Sequence, residues 1–175
     1  MPRNDHDASN ASAPGRDAVA IVTGGSHRIG RDISRGLAVW GWPIVLVYLD
    51  DQPTAEATVA EIIAVQGSIV AVRADLADDL DVERLFTEST TAFGGVDVVV
   101  VTTAGNAAPF YEHAARHLRS QGAIVIVCDA LRVTPPIARR LRERGICVGR
   151  APPEDVLALL DRWRSTPRAE AWPQS

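Results

Sequence analysis

Thr23-Gly24-Gly25-Ser26-His27-Arg28-Ile29-Gly30 is the stretch whose residue types and spacing best support chemistry. Glycines placed this way let the backbone turn sharply, and the N–H groups of a helix starting there can approach a pyrophosphate. Asp50 and Asp51 follow about twenty residues past Gly30, where an acid can accept from a ribose hydroxyl. A glycine turn alone would serve any strand-to-helix connection. A glycine loop followed at this distance by acids points to dinucleotide binding. Further along, Asp129 has the chemistry of a general acid or base if buried, and of a loop cap if not. Tyr111 carries a phenol that can exchange a proton. His113 and His117 share one face of a helix at i and i+4, a spacing two metal ligands can use. No third ligand is evident in the sequence, so the expectation is a solvated amphipathic helix and no metal. Cys128 has no assigned base and reads as a small core residue.

Composition narrows this chemistry. All 18 basic residues counted as Lys or Arg are arginine, and lysine is absent from the 175 positions. That excludes a Walker-A phosphate loop, a Schiff-base lysine and a lysine general base. Hydrophobic residues make up 46% and charged residues 23%, enough apolar material for a core. The net charge of −4 argues against nucleic acid and anionic membranes as partners. Two cysteines are too few for a disulfide scaffold and suit a reducing cytoplasm. No apolar run approaches the length of a membrane span, and Met1–Arg16 has no apolar core of a signal peptide. The expected organisation is a flexible tail over 1–16, one domain over 17–164 and a second tail over 165–175.

These residues need elements to position them. Strands are expected over 18–23, 43–48, 68–73, 96–101, 123–127 and 146–148. Helices are expected over 28–40, 54–65, from a cap at Asp78 or Asp79 to Phe93, over 108–120, from Thr134-Pro135-Pro136 to Arg144, and from Pro152-Pro153 to Arg164. The strands are almost continuously apolar, as strands buried on both faces are. Strand–helix alternation of this kind gives an α/β fold, a three-layer doubly wound parallel sheet of about six strands in order 3-2-1-4-5-6. The chain is too short for an eight-stranded α/β barrel.

With its elements in this order, the chain resembles the short-chain dehydrogenase/reductase family. The glycine pattern T-G-x-x-x-G-x-G is met by Thr23, Gly24 and Gly30, with Arg28 where the middle glycine usually stands, as in the pteridine-reductase-like branch. The likeness continues through Ala74-Asp75-Leu76, Phe93-Gly94-Gly95-Val96-Asp97 and Thr102-Thr103-Ala104-Gly105. It is looser through Arg144-Gly145-Ile146-Cys147-Val148 and Ala151-Pro152-Pro153. The resemblance implies a Rossmann fold and NADP(H) or NAD(H) as cofactor. It implies that Gly24, Ser26, His27, Arg28, Ile29 and Gly30 line the pyrophosphate and adenosine ribose. Asp75 and Leu76 would flank adenine, and Thr103, Ala104 and Gly105 would approach the nicotinamide-side ribose. Tyr48, where NAD-preferring members usually have Asp, and the pair His27-Arg28 favour a 2′-phosphate. Asp50 and Asp51 oppose it by like-charge repulsion.

The family's chemistry uses a Ser and a Tyr-x-x-x-Lys pair, whose ammonium lowers the tyrosine pKa. A chain without lysine cannot hold that pair. Asp129 stands at the serine position, and Ala115 stands where Lys would follow Tyr111. Only 16 residues separate Gly105 from Gly122 and 15 separate Asp129 from Gly145, too few for the family's long helices there. Those helices form the family's usual dimer face, so the expected assembly is a homodimer or a complex with a partner subunit. The leading functional expectation is an NAD(P)(H)-binding pseudoenzyme or regulatory subunit. The alternatives are an oxidoreductase or non-redox enzyme with Asp129 or Tyr111 as a non-standard acid, and an interaction protein that has lost the nucleotide.

Overall fold

The valine- and isoleucine-rich runs fold as strands, and the segments between them as helices. The computed structural model describes residues 18–103, 107–127 and 133–165. Along the chain run β1 (Ala20–Val22), α1 (Arg28–Val39), β2 (Ile44–Tyr48), α2 (Gln52–Ala64), β3 (Ile69–Arg73) and α3 (Asp79–Phe93). They continue with β4 (Val96–Val101), α4 (Ala108–His117), β5 (Leu118–Ile126), α5 (Pro135–Glu143), β6 (Cys147–Arg150) and α6 (Val156–Ser165). The six strands are parallel and stand in the order β3-β2-β1-β4-β5-β6. This is the doubly wound architecture the strand–helix alternation implies. The expected tails, apart from Ser165 at the end of α6, lie outside the described residues.

The side-chain period of two along each strand divides the core into two layers. Ile21, Val45 and Val99 are in register and face α3, α4 and α5, where Leu85, Phe86, Phe110 and Leu141 close over them. Val22, Leu46 and Val100 face the other way, toward α1, α2 and α6. There Trp42 and Trp163 meet edge to face at 6.1 Å, and Arg164 lies 4.5 Å over the ring of Trp40. The aromatic pair fastens α6, the last described helix, to the turn between α1 and β2.

Local chemistry sets the helix ends. Asp78 accepts from the N–H groups of Leu80 and Asp81, each at 2.9 Å, and so starts α3. Gly94, at φ 78°, ends it in the left-handed region. The junction of α4 and β5 departs from expectation, since α4 stops at His117 and not at Ser120, and β5 begins at Leu118. Arg144 donates to the carbonyls of Ala115, Arg116 and Leu118 at 2.8, 2.7 and 2.6 Å and satisfies the last turn of α4. Leu118 is fully buried opposite Val96, and the register then shifts before Val98. Asp97 holds this region to the sheet, accepting from the Val19 N–H and the Arg119 guanidinium, both at 2.9 Å. Among the described residues no helix is long and apolar enough to cross a membrane.

Candidate functional site

In a sheet of this kind a crevice opens at the carboxyl ends of the strands, where the strand order reverses about the first strand. Here the ends of β1, β2, β3 and β4 border a cleft of about 430 Å³. Gly24, Ser26 and His27 form its floor, Tyr48, Leu49, Asp50 and Asp51 one wall, and Ala74, Asp75, Leu76 and Ala77 the next. Thr103 and Ala107 complete it.

The glycine loop is built for close approach. Gly24 sits at φ 70°, in the left-handed region, where the chain turns from β1 toward α1. A Cβ on Gly25 would lie 2.5 Å from Leu46 Cγ, so this loop rests directly on the end of β2, where its N–H donates to Val47 O at 2.8 Å. A Cβ on Gly30 would run into Gly24 O and stand 2.9 Å from Thr23 O, so α1 packs against the loop with no room for a side chain. Thr23 ties the loop to the neighbouring strand. Its hydroxyl accepts from Thr102 N–H at 3.0 Å, and its carbonyl accepts from the Thr102 hydroxyl at 2.6 Å. The α1 N-terminus therefore opens at the cleft floor. His27, its N-cap, makes no side-chain capping bond, and the first turn carries no acid. Uncapped N–H groups and the positive end of a helix dipole suit an anionic phosphate.

The acids of the walls have separate tasks. Asp51 accepts from Thr54 N–H at 3.1 Å and caps α2, and the Thr54 hydroxyl and amide hold its carboxyl below the usual carboxylate range. Asp50 is left on the wall without that capping role. Asp75 accepts from Ala77 N–H, and its own N–H donates to Asp81 Oδ2, both at 2.9 Å. The Asp75 N–H, and then Arg84, hold the Asp81 carboxyl below its ordinary range. The wall at Asp75–Ala77 is thus pinned to the first turn of α3.

The structure gathers Gly24, Ser26, His27, Tyr48, Asp50, Asp75, Leu76 and Thr103 around one cleft. Gly30 lies behind the loop as a packing surface and not on the wall. Ile29 is exposed. Arg28 points outward, its side chain 93% exposed and paired with Asp32 at 3.4 Å. Ala104, Gly105, Cys128 and Asp129 lie outside the described residues. Tyr111 is 2% exposed in the core layer, with Phe110 at 6.1 Å, and does not border the cleft. Val47, Leu49, Ala74, Ala77 and Ala107 also border it and were not singled out from the sequence. Their signal is positional: four of the five end or follow strands β2 and β3, where a doubly wound sheet binds its ligands. The solvated face expected for His113 and His117 does not form at His113, which is buried at 2% exposure, while His117 is half-buried, and both rings stack with Phe86.

Fold and cleft define the Rossmann-type, doubly wound class of α/β protein. The short chain dehydrogenase family model matches residues 18–121, and the chain belongs to that family. NAD(P)(H) is the cofactor of the family. The chain is 39% identical over 82 residues to a 3-oxoacyl-[acyl-carrier-protein] reductase of Synechocystis sp., covering 47% of this chain and 33% of that protein. It is 32% identical over 132 residues to the hydroxynaphthalene reductase-like protein Arp2 of Metarhizium anisopliae, covering 62% of this chain and 49% of that one. The chain thus spans between a third and a half of the length of these relatives. A dehydrogenase/reductase from Sinorhizobium meliloti 1021 superposes with a TM-score of 0.69 at 23% identity, over 90% of this chain and 92% of that one. A protein from Burkholderia cenocepacia with bound NADP superposes with a TM-score of 0.64 at 23% identity, over 85% and 74% of the two chains.

Proposed function

We propose that this chain is an NAD(P)(H)-binding family member that does not perform ordinary carbonyl reduction, and acts as a pseudoenzyme or regulatory subunit. The observation that carries the nucleotide half is the uncapped, acid-free N-terminus of α1 on the floor of the cleft. The loop and α1 would hold the pyrophosphate through backbone N–H groups. Tyr48, Asp50 and His27 border the cleft and would surround the adenosine ribose, and Asp75, Leu76 and Ala77, on the next wall, would flank the adenine. His27 favours a 2′-phosphate and Asp50 opposes it, so both NADP(H) and NAD(H) belong to this reading. Thr103 would approach the nicotinamide side, the role the family resemblance also implies for Ala104 and Gly105. The bound nicotinamide would supply or accept hydride.

The second half rests on composition. A carbonyl reductase must deliver a proton to the developing alkoxide, and the family's tyrosine does so with an ammonium beside it. With no lysine in the chain, a tyrosine here lacks that partner, and arginine cannot replace it as a proton relay. Loss of general acid catalysis lowers rates about 10²- to 10⁴-fold.

Titration with NADPH and NADH, followed by cofactor fluorescence, tests the binding half. Saturable binding is expected, and its absence for both cofactors at millimolar concentration overturns it. NADPH oxidation with a panel of ketones, quinones and pterins tests the other half. Background rates are expected, and turnover of a simple ketone at an ordinary enzymatic rate overturns the pseudoenzyme reading.

A further inference from the structure

We propose that Glu83, His113 and His117 form a site for one divalent transition-metal ion of the zinc class, which pins α4 onto α3. The site is separate from the cleft, which none of the three borders. Glu83 Oε2 lies 2.8 Å from His113 Nδ1 and 3.4 Å from His117 Nε2, and the three ligand atoms all lie within 4.8 Å of one another. The carboxylate comes from the first turns of α3 and the two imidazoles from one face of α4.

His113 supplies the second observation. Its ring is buried, and its Nδ1 makes no hydrogen bond even with the Glu83 carboxylate beside it. That carboxylate approaches off the line a shared proton needs. On the ring's other side, Nε2 stands 3.0 Å from Asp79 Oδ1. Nε2–H donating to Asp79 fixes, from these partners, the tautomer that leaves a lone pair on Nδ1. A carboxylate behind a histidine, and a bare ring nitrogen in front, is the arrangement that orients metal-ligating histidines. A buried nitrogen without a hydrogen-bond partner is costly, and a metal bond satisfies it.

Geometry and charge agree. A tetrahedral ion with bonds of about 2.0–2.1 Å spaces its ligand atoms about 3.3–3.4 Å apart. The Glu83–His117 pair already has that spacing. The remaining adjustment falls on His117 and Glu83, whose side chains are 32% and 50% exposed, against 2% for His113. The same exposure leaves a solvent-facing position for a water as fourth ligand. Among the described residues, the ion pairs of Asp79 and Glu83 run only to these two histidines, so no arginine occupies the place of the cation. Two imidazoles with one carboxylate suit zinc and its neighbours over magnesium or calcium. The rings of His113 and His117 lie 5.7 Å apart at 12°, and Phe86 stacks with both, so the two imidazoles are presented side by side on α4.

The purified 175-residue chain, stripped with a chelator, is titrated with Zn²⁺ by calorimetry and with Co²⁺ by visible spectroscopy. One ion per chain and the intense bands of tetrahedral Co²⁺ are expected. At about a hundredfold excess over Kd, Zn²⁺ should raise the Tm by about 5–10 °C. His117→Asn and Glu83→Gln should each weaken Zn²⁺ by at least about tenfold, and Asp79→Asn, which positions His113, by about 10- to 100-fold. Far-UV circular dichroism of each variant establishes that it is folded, and the half-buried position of His117 and the exposed one of Glu83 favour that. Failure of the wild type to take up either ion overturns the proposal. So does a double variant His117→Asn, Glu83→Gln that binds like the wild type, since the ion would then sit elsewhere, for example on His6 or His27.

Discussion

Gly30→Ala tests the contact between the glycine loop and α1. The added methyl would meet Gly24 O and lie 2.9 Å from Thr23 O, whereas ordinary contact begins at 3.4 Å. Loop and helix must part by about 0.5 Å or more, against backbone atoms that cannot rotate away. Those atoms are held, because Gly25 N–H donates to Val47 O at 2.8 Å and His27 N–H to Gly24 O at 2.9 Å. Overpacking of this kind costs about 1–3 kcal/mol. Alanine in place of glycine in a helix returns about 1 kcal/mol. The net loss is then about 1 kcal/mol, a fall in Tm of about 2–4 °C for a chain of this size. Nucleotide affinity should suffer more. A hydrogen bond from an N–H to a charged phosphate contributes about 1.5–3 kcal/mol, so displacing one weakens binding about 10- to 100-fold. Thermal melts and titration with ADP and NADPH measure both quantities. A Gly30→Ala protein with wild-type Tm and wild-type ADP affinity would refute the argument that the α1 N-terminus and its loop form one fitted phosphate cradle.

Asp81 makes stability depend on acidification. Its native pKa lies below its unfolded value, through the Asp75 N–H and Arg84, so its contribution is present above the ordinary carboxylate range and is lost as pH falls through the native pKa. Asp81→Asn should flatten the decline in urea midpoint below about pH 5, and an unchanged slope overturns the assignment. Trp163→Ala removes a fully buried ring that holds α6 against Trp42. It should cost about 3–5 kcal/mol, seen as a Tm lower by about 6–20 °C, and a loss under about 1 kcal/mol would show that α6 is not part of the core.

The parallel sheet was legible because Val98–Val101 and its counterparts are almost continuously apolar, as strands covered on both faces are. The α4–β5 boundary was not. Leu118-Arg119-Ser120-Gln121-Gly122 is polar enough to pass for a helix end and loop. It is drawn into the strand by Arg119, which reaches Asp97 and Gly94 O, and by Arg144, which comes from 26 positions away to cap Leu118. The glycine loop could be read directly, since Gly24, Gly25 and Gly30 fall in one short stretch after the first strand. The outward turn of Arg28, 93% exposed, could not, because which side of α1 faces the cleft is set by how the helix seats on the sheet. Glu83 joins His113 and His117 only through the packing of α3 on α4, and nothing local to either helix announces it.

The place of β1 at the middle of the sheet has a consequence in time. Its second neighbour arrives late: Val19 and its partner Asp97 stand 78 positions apart. A ribosome adding about 5–20 residues per second leaves β1 waiting about 4–16 s after it emerges before β4 can follow. For that interval the nascent chain carries β1, β2 and β3 with one flank of β1 bare, three residues that end with no exposed surface at all. Chains stalled before Val96 should be held by a general chaperone and released when translation passes Val101 and β4 closes that flank.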